Sequence, residues 1–452
     1  MGDTLNTGGK QALKRDIGLF SAIAIVVGSM IGSGIFMAPQ GLAEYANPTA
    51  GLIAMALTGI GSLLLALCFV KMSTMDGELV SPIMATQRAF GELPAFFSGW
   101  AYWCGCWVAN GTIILGGLNY LSYFFPSLQG NSLAKYTLSI AIIWFYTLLN
   151  IRGVKESSRF NLVMTIVKLA PIALILIVAP MRFSSANFAS VSSEDVVGMG
   201  VIPIAMTYTL WSFLGFEGIV VNAAEIKNIN MVKKGTVIGT CIVIVIYLLL
   251  TVFAAGNLPQ TDLVASESPF ADILQHSTGV YWAGGFIALA VALSAFGCIG
   301  AWIISAASAA YSLGEQGLMP QKLATVHPKL RTPVTALLVN GILMTFIMLL
   351  AFFTQEGSVY NFFLMLSTLA LLVFYVLGAA AEIALSGRGI KKFNVWNFIK
   401  CSFVSLIAFA YAVFTVYGSG AEYVMYGFML LLIGIPIYTY VKLKRYHDGE
   451  IT

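Results

Sequence analysis

Charged side chains are scarce in this sequence. Asp, Glu, Lys and Arg make up 10% of its 452 residues, whereas 58% of them are hydrophobic and the mean hydropathy is +0.86. A soluble protein of this size could not bury so much apolar surface, so a soluble enzyme is excluded. We expect an all-α polytopic membrane protein that is surrounded by the lipid bilayer and has no nucleic acid partner.

Histidine and cysteine are also few, with three and six residues respectively. His276, His327 and His447 lie in predicted loops or in the C-terminal tail, so histidine is not the proton carrier inside the membrane. All six cysteines fall within apolar runs, which is typical of small packing residues. We therefore expect no disulfide, no metal and no cofactor, and the lack of a nucleophile–base pair indicates no enzymatic activity.

The N-terminus lacks the features of a cleavable signal peptide. Residues 1–16 are polar and run directly into a hydrophobic segment that is long enough to cross a membrane. A signal peptide has a shorter apolar core and a cleavage site. We expect 1–16 to form an N-terminal tail on the cytoplasmic side.

Twelve apolar segments are long enough to span a bilayer, at about 20 residues each. They lie at 17–39, 50–72, 93–126, 134–154, 159–181, 196–224, 235–257, 278–313, 333–354, 358–386, 394–418 and 420–442. A short tail, 443–452, follows the twelfth segment. The sequence therefore predicts twelve transmembrane helices.

The basic residues alternate between the two sides of these segments. Of the 24 lysines and arginines, all but four fall in the N-terminal tail, in every second loop or in the C-terminal tail. Lys135 and Arg182 lie on the opposite side, and Lys168 and Lys400 lie within segments. Because positive charge favours the cytoplasmic side of a membrane, both termini are predicted to be cytoplasmic.

The first segment contains a run of small residues, Gly28-Ser-Met-Ile-Gly-Ser-Gly-Ile-Phe36. Glycine costs a helix about 1 kcal/mol relative to alanine, and a bilayer penalises unpaired backbone groups. Opened backbone is tolerated at this depth where it lines a cavity, which in transporters is the binding site. We therefore predict that Ile31, Ser33 and Gly34 form one half of a site.

The sixth segment carries a matching interruption, Thr209-Leu-Trp-Ser-Phe-Leu-Gly-Phe-Glu-Gly218. Segments 1 and 6 occupy corresponding positions in two halves of five segments each, and an odd number of segments inverts the second half relative to the first. We predict an inverted five-plus-five repeat, with Trp211, Ser212 and Leu214 in the second half of the site. The boundaries are 17–181 and 196–386, followed by two extra helices over 394–442.

Glu217 and Lys168 are charged residues within these predicted segments. A mid-membrane carboxylate is a functional candidate by default, as a cation partner, a proton-coupling group or a gate. It can also be structural, accepting hydrogen bonds from freed N–H groups or from tyrosines. Lys168 lies about nine residues beyond Arg159, roughly 13 Å into the bilayer at helical rise. It is either a structural ammonium that holds unwound carbonyls of segment 1 or a protonatable site.

Two tryptophans and an asparagine lie near the interruptions. Trp211 is at the break in segment 6, and Trp302 follows a glycine-rich stretch of segment 8. Away from the membrane interface, tryptophan is either a core residue or a surface for a ligand, where cation–π contact favours a guanidinium or ammonium by about 0.5–2 kcal/mol. Asn110 either ties helices together or binds ligand. Serine hydroxyls can bond to their own helix, so the weaker candidates are Ser33, Ser212 and Ser367.

Seven short motifs, spread over almost the whole chain, resemble those of a known family. They are the GSGIF of segment 1, Tyr102-Trp-Cys-Gly-Cys-Trp-Val-Ala-Asn110, Leu118-Asn-Tyr-Leu-Ser-Tyr-Phe-Phe-Pro126, Leu210-Trp-Ser-Phe-Leu-Gly-Phe-Glu217, Ser268-Pro-Phe270, Gly300-Ala-Trp302 and Gly418-Ser-Gly-Ala-Glu422. GSGIF alone is typical of the amino acid–polyamine–organocation superfamily. The pieces that bear tryptophan are similar to its basic amino acid/polyamine antiporter branch, and most similar to the bacterial arginine/agmatine antiporters.

This resemblance implies the inverted repeat with broken helices 1 and 6, often as a homodimer, in the bacterial cytoplasmic (inner) membrane. It further implies that Ser33 and Gly34 take the carboxylate and amino group of an amino acid or amine substrate. Trp302 would stack on the guanidinium, and Trp211 would cover the site from outside. The residues expected near the ligand are Asn110, Cys106 and Ser367.

The resemblance also assigns residues to gates. Tyr102, Glu217 and Tyr375 would close the cytoplasmic route, and Tyr360 falls where the family has an aromatic gate. The activity implied is secondary antiport of extracellular arginine for intracellular agmatine by alternating access.

Two departures from the branch leave an alternative open. Gly218 stands where the branch has a serine, and Lys168 resembles a lysine of related neutral amino acid transporters rather than any residue of the arginine/agmatine antiporters. The alternative is an exchanger or proton-coupled transporter of ornithine, lysine or neutral amino acids, with Lys168 involved in coupling. An ion channel would need a continuous polar pore, which the few polar groups inside the segments do not supply.

Overall fold

The computed structural model describes residues 19–73, 81–152, 158–188, 199–217, 229–354, 358–390 and 394–449. These parts contain sixteen α-helices and several short 3-10 turns, and no strand occurs within them. Several features named above lie outside the described residues: the N-terminal tail 1–16, Gly218 and the last three residues of the C-terminal tail, 450–452.

The helices of the first half are α1 (Leu19–Met30), α2 (Gly34–Tyr45), α3 (Pro48–Ser73), α4 (Pro82–Phe90), α5 (Glu92–Leu121), α6 (Ser132–Ile151) and α7 (Ser158–Val178). Those of the second half are α8 (Ile202–Phe213), α9 (Ile229–Asn257), α10 (Gln260–Ala265), α11 (Pro269–Thr278), α12 (Tyr281–Glu315), α13 (Val334–Thr354) and α14 (Val359–Arg388). The last two are α15 (Val395–Gly418) and α16 (Ala421–His447).

Eight described helices are long and apolar enough to cross a membrane, and α1 with α2 forms a ninth candidate that is bent. The helices α5 and α7 occupy most of the third and fifth predicted segments, and α8 occupies the first part of the sixth. The prediction of an all-α, multi-pass membrane protein is therefore confirmed. The count of twelve spans, the inverted repeat and the side on which the termini lie remain predictions.

The centre of the molecule is α5, which is buried almost continuously over 95–120. It packs against α12 on one side and α14 on the other. Glycines bring these helices close together. A Cβ at Gly105 would lie 2.6 Å from Leu371 of α14, and one at Gly117 would lie 2.6 Å from Phe296 of α12. Small residues have this role in membrane helices, whose association depends on close packing.

The first membrane segment is interrupted within its glycine-rich run. The helix α1 ends at Met30, α2 begins at Gly34, and the two axes differ by 44°. Ser33 precedes α2 in the N-cap position but makes no side-chain capping bond. The first turn of α2 therefore lacks the side-chain acceptor that usually satisfies one of its N–H groups.

A second interruption follows α8. The helix ends at Phe213, Leu214 is extended, and Gly215 has a φ of +110°. Gly215 passes so close to the carbonyl group of Ser29 that a Cβ would collide with it. Glycine is required at this position by both its φ and the close approach. The turn after α8 thus lies directly against the end of α1.

Among the described residues, ion pairs connect separate elements at three places, one of which joins Lys442 of α16 to Glu92 of α5. Lys71 of α3 pairs with Glu382 of α14 at 2.6 Å and donates to the carbonyl of Cys401 in α15 at 2.7 Å. Near the other end of the helices, Lys135 of α6 pairs with Glu267 at 3.0 Å. The Glu382 side chain is fully buried, so its pairing with Lys71 compensates for the loss of its hydration.

Candidate binding site between the two helix breaks

A cavity lies between the two helix breaks. It is formed by the end of α1, the start of α2, the end of α8 and parts of α5 and α12. Six residues predicted to bind ligand line it: Ser33, Gly34, Trp211, Ser212, Leu214 and Trp302.

Gly34 determines how closely α2 approaches α8 in this cavity. A Cβ at Gly34 would lie 2.7 Å from Cδ1 of Trp211 and 3.2 Å from Cα of Ser212. Rotation of a side chain could relieve the first contact but not the second, which is to backbone. A glycine is therefore needed to bring the start of α2 against Trp211.

Trp211 and Trp302 face each other across the cavity. Their ring centroids are 6.5 Å apart and their planes differ by 25°. Trp211 is buried and Trp302 is half-buried. Optimal contact between carbon atoms is at about 3.5 Å, so a flat group between two faces needs about 7 Å, and these rings would have to separate to admit one.

No charged side chain lines this cavity among the residues that the structure describes. A cationic ligand would therefore be held by aromatic faces and backbone carbonyl groups, not by an ion pair. Cation–π attraction is strongest for tryptophan and for desolvated cations, and both conditions hold beside Trp211 and Trp302.

Glu217 does not line the cavity but lies in the turn after α8. Its Oε2 accepts hydrogen bonds from the backbone N–H of Gly215 at 3.1 Å and from the hydroxyl of Tyr375 at 3.2 Å. The carboxylate therefore connects this turn with α14. These bonds fit a structural carboxylate, and they also join two elements that a gate at this position would have to separate.

Two of the predicted gate residues, Tyr102 and Tyr375, lie in one aromatic cluster. The cluster is made of Phe69, Tyr102, Phe216, Phe374 and Tyr375. The ring of Tyr375 is 5.1 Å from that of Phe216 and 5.6 Å from that of Phe69. Tyr102 contacts Phe374 at 4.7 Å. The structure thus brings Tyr102 and Tyr375 together through Phe374 and places Glu217 on the hydroxyl of Tyr375.

Four predicted ligand residues are buried nearby without lining the cavity: Ile31, Cys106, Asn110 and Ser367. Asn110 donates to the carbonyl of Cys106 at 3.1 Å within α5, and its Oδ1 accepts no hydrogen bond from any described residue. The hydroxyl of Ser367 donates to the carbonyl of Leu364 within α14 at 3.0 Å. Ile31 is fully buried in the first break and does not line the cavity.

Lys168 and Tyr360 do not line the cavity, although Tyr360 lies close to Ser33 at the first break. Lys168 is half-buried on α7 and makes no hydrogen bond or ion pair within the described ranges. No bond from it to a described carbonyl of α1 or α2 is present. Tyr360, at the start of α14, is buried against Gly116, and its hydroxyl has no hydrogen-bond partner among the described residues.

Tyr247 of α9 is a residue of this site that the sequence did not indicate. Its hydroxyl lies 2.9 Å from the carbonyl oxygen of Met30 and 3.0 Å from that of Ser212. It is fully buried and touches the end of α1 and the end of α8 together. A lone tyrosine in an apolar run carries no pattern that separates it from a packing residue.

Comparison with known proteins gives one family over nearly the whole chain. The sequence profile of the amino acid permease family matches residues 17–438. The arginine/ornithine antiporter of Pseudomonas aeruginosa is 29% identical over 445 residues, which cover 96% of this chain and 92% of that protein. The arginine/agmatine antiporter of Chlamydia felis is 27% identical over 441 residues, which cover 94% of this chain and 90% of that protein.

Proposed function

Since the chain belongs to the amino acid permease family and is a transporter rather than an enzyme, we propose that it exchanges extracellular arginine for intracellular agmatine by alternating access. The protein would act in the bacterial inner membrane, with both termini cytoplasmic, and would span the membrane twelve times as two inverted repeats and two extra helices. Assembly as a homodimer is part of this proposal.

The observation that carries the proposal is the pair of facing indole rings of Trp211 and Trp302. A guanidinium is flat, cationic and weakly hydrated, so it suits two nearly parallel aromatic faces better than a compact ammonium does. Arginine and agmatine share this group. A site that recognises the guanidinium can therefore accept both partners of the exchange.

The start of α2 supplies a place for the α-carboxylate. The N-terminus of a helix favours negative charge through its free N–H groups and its dipole. Ser33 makes no capping bond to this turn, and its hydroxyl is buried without a partner among the described residues. We infer that a substrate carboxylate takes the position that a capping side chain would otherwise occupy.

Glu217 and the aromatic cluster are proposed as the cytoplasmic gate. The carboxylate connects the turn after α8 to Tyr375 of α14. Opening toward the cytoplasm would break this bond and separate Phe216 from Tyr375. Asn110, Cys106 and Ser367 would reach the ligand after such a rearrangement, since none of them lines the cavity described here.

Ornithine is a second candidate counter-substrate, because two relatives carry it in their names. Two of the relatives, from Pseudomonas aeruginosa and Latilactobacillus sakei, are named arginine/ornithine antiporters and are each 29% identical to this chain. Ornithine retains the carboxylate but replaces the guanidinium with an ammonium. Exchange of arginine for ornithine, or transport coupled through Lys168, is therefore the alternative.

Proteoliposomes test these proposals directly. Vesicles are loaded with agmatine, with ornithine or with buffer, and uptake of labelled arginine, lysine, alanine and serine is measured. We expect rapid arginine uptake into agmatine-loaded vesicles and little uptake into empty ones. Equal uptake into empty vesicles would contradict obligatory exchange. Uptake of alanine or serine without arginine would overturn the substrate assignment and favour the role of Lys168 in coupling.

A further inference from the structure

Glu44 is the only charged residue of α2 and lies in its last turn. The side chain is exposed. Its Oε2 accepts a hydrogen bond from Nδ2 of Asn361 in α14 at 2.8 Å. Its Oε1 accepts none from any described residue, and no described lysine or arginine pairs with the carboxylate. The group is therefore held in place through one oxygen, while its charge has no counter-charge within the described ranges.

Aromatic side chains lie beside this carboxylate. It is near the hydroxyls of Tyr45 and Tyr423, whose rings are half-buried. The ring of Tyr45 is 5.6 Å from that of Tyr208, and the ring of Tyr423 is 6.4 Å from that of Phe362. A carboxylate beside aromatic faces suits an organic cation, since a guanidinium can pair with the carboxylate and stack on a ring.

Glu44 shares one face of α2 with residues that lead to the cavity between the helix breaks. Ser33, Met37, Gly41 and Glu44 are spaced by three or four residues, which places them on one side of a helix. Ser33 lines that cavity. Glu44 lies roughly 16 Å further along the axis at helical rise. This face of α2 therefore runs from the cavity to an exposed carboxylate.

Two tyrosines cover the face between these ends. A Cβ at Gly41 would lie 2.2 Å from the hydroxyl oxygen of Tyr208 in α8. A Cβ at Gly116 of α5 would lie 3.3 Å from the ring of Tyr360 and 3.8 Å from Cβ of Ser33, so Tyr360 covers the face beside the cavity. Both tyrosines are buried. A ligand that approaches from the end of α2 therefore meets the exposed carboxylate before it meets either tyrosine.

We propose that Glu44 forms an outer subsite, at which the guanidinium or ammonium group of a substrate docks before the substrate enters the cavity. This step rests on the proposed exchange of cationic substrates and on the predicted topology, which places the end of α2 outside the cell. A carboxylate at this position raises the local concentration of cations and the rate of their capture. It therefore lowers the arginine concentration that gives half-maximal uptake and leaves the maximal rate unchanged.

Binding is tested first, on purified full-length protein in detergent, by saturation-transfer-difference NMR with methylguanidinium as the probe. The starting variant is Trp302→Ala, which removes the proposed stacking in the cavity. We expect it to retain a weak site that high salt screens. Adding Glu44→Gln should weaken this binding about threefold to fivefold, the loss expected for an exposed charge pair. Equal binding with and without Glu44→Gln would overturn the subsite.

Asp262→Asn is the matched control. It neutralises another exposed carboxylate, in the short helix α10, which Gln260 joins to the same end of α2 through the carbonyl of Ala43. Methylguanidinium binding should not change in this variant. An equal loss in Asp262→Asn and Glu44→Gln would assign the effect to general surface charge and overturn the subsite.

Uptake by intact cells that lack other arginine transporters tests the role in transport, because external arginine then reaches the protein from one side only. We expect Glu44→Gln to raise the arginine concentration for half-maximal uptake about threefold to fivefold, with the maximal rate retained. Asp262→Asn should behave like the parent protein. A lower maximal rate with an unchanged half-maximal concentration would show a structural role for Glu44 and contradict capture.

Chemical restoration of the charge separates its effect from the loss of the side chain. Glu44→Cys is treated with a methanethiosulfonate reagent that carries either a sulfonate or a trimethylammonium group. The sulfonate should bring the half-maximal concentration back toward that of the parent protein, and trimethylammonium should raise it further. The parent protein, treated alike, controls for native thiols such as the exposed Cys241. The same result with both reagents would refute the role of the charge.

Failure of the subsite and failure of the exchange give different results. If the parent protein exchanges no arginine but Glu44→Gln still weakens methylguanidinium binding, the proposed exchange is refuted and the subsite stands. Arginine exchange with the same half-maximal concentration in the parent protein and in Glu44→Gln would refute the subsite and leave the exchange intact.

Discussion

Trp302 offers the sharpest test at the scale of single residues. We expect Trp302→Ala to weaken arginine binding roughly 10–30-fold, because a desolvated cation–π contact is worth about 2 kcal/mol and packing area is lost with it. Calorimetric titration of the purified protein measures this. Trp282→Ala is the control on the same helix, since that side chain is 74% exposed. Equal losses in both variants would contradict stacking on the guanidinium.

Glu217 can be separated from its neighbour Tyr375 by two conservative variants. Glu217→Gln removes the titratable carboxyl, whereas Tyr375→Phe removes only the hydrogen bond that joins them at 3.2 Å. If the carboxyl is a pH-responsive gate, Glu217→Gln changes the pH dependence of arginine exchange. Tyr375→Phe then lowers the rate with the pH profile retained. An unchanged profile in Glu217→Gln would leave that carboxylate with a structural role.

The sequence alone identified most residues that the structure places in the cavity, for a physical reason. A glycine run or a tryptophan in mid-membrane is costly or unusual, so Gly34, Trp211 and Trp302 stand out. Tyr247 does not stand out, because its role depends on which carbonyl groups the fold brings within reach. Asn110 was predicted from its polarity, but its rotamer directs it along α5 and not into the cavity.

The start of α2 can be tested as an element, through two neighbouring glycines. Gly34→Ala should abolish exchange and cost about 1–3 kcal/mol of stability, because its Cβ meets the backbone of α8. A Cβ at Gly32 has nothing within 4 Å, so Gly32→Ala is the matched control for stability but not for exchange, because Gly32 lines the cavity. Thermal unfolding and exchange rates are measured for both. Full activity of Gly34→Ala would contradict the close apposition of α2 and α8.

The Lys71–Glu382 pair joins three elements, α3, α14 and α15. We expect Lys71→Met to destabilise the protein by about 1–3 kcal/mol, since the buried Glu382 loses its partner while water still reaches the position of Lys71. The double variant Lys71→Met/Glu382→Leu should recover most of this loss. Thermal denaturation of the singles and the double gives the coupling. Additive losses would show that the pair contributes no coupling energy.

Long helices were predictable from the sequence, but the short ones were not. The sequence predicts a membrane span over 50–72, and α3 occupies Pro48–Ser73. An apolar run of that length has one stable arrangement in a bilayer, the α-helix, so its position can be predicted. The short helix α11 lies in what was predicted as a loop. Its signals are local, with Pro269 in the first turn and Gly279 in the left-handed region after the last. Such signals indicate a helix end but not its packing partner.

Orientation is a property of the whole molecule, and the distribution of basic residues predicts it. A cysteine in place of Gln129, in the exposed loop between α5 and α6, should react with a membrane-impermeant maleimide on intact cells. A cysteine in place of Lys329, in the exposed loop between α12 and α13, should react only after permeabilisation. Labelling at position 329 on intact cells, and at position 129 only after permeabilisation, would show the inverted topology with both termini outside.

The hydroxyl of Tyr247 carries one hydrogen, yet the carbonyl oxygens of Met30 and Ser212 both lie within its reach. One hydrogen serves one of the two acceptors at full strength, so these carbonyl oxygens have capacity for a further donor. An α-ammonium group carries three hydrogens and would supply one. The protein would thus distinguish an amino acid from its deaminated analogue by hydrogen count, before any contact with the side chain is considered.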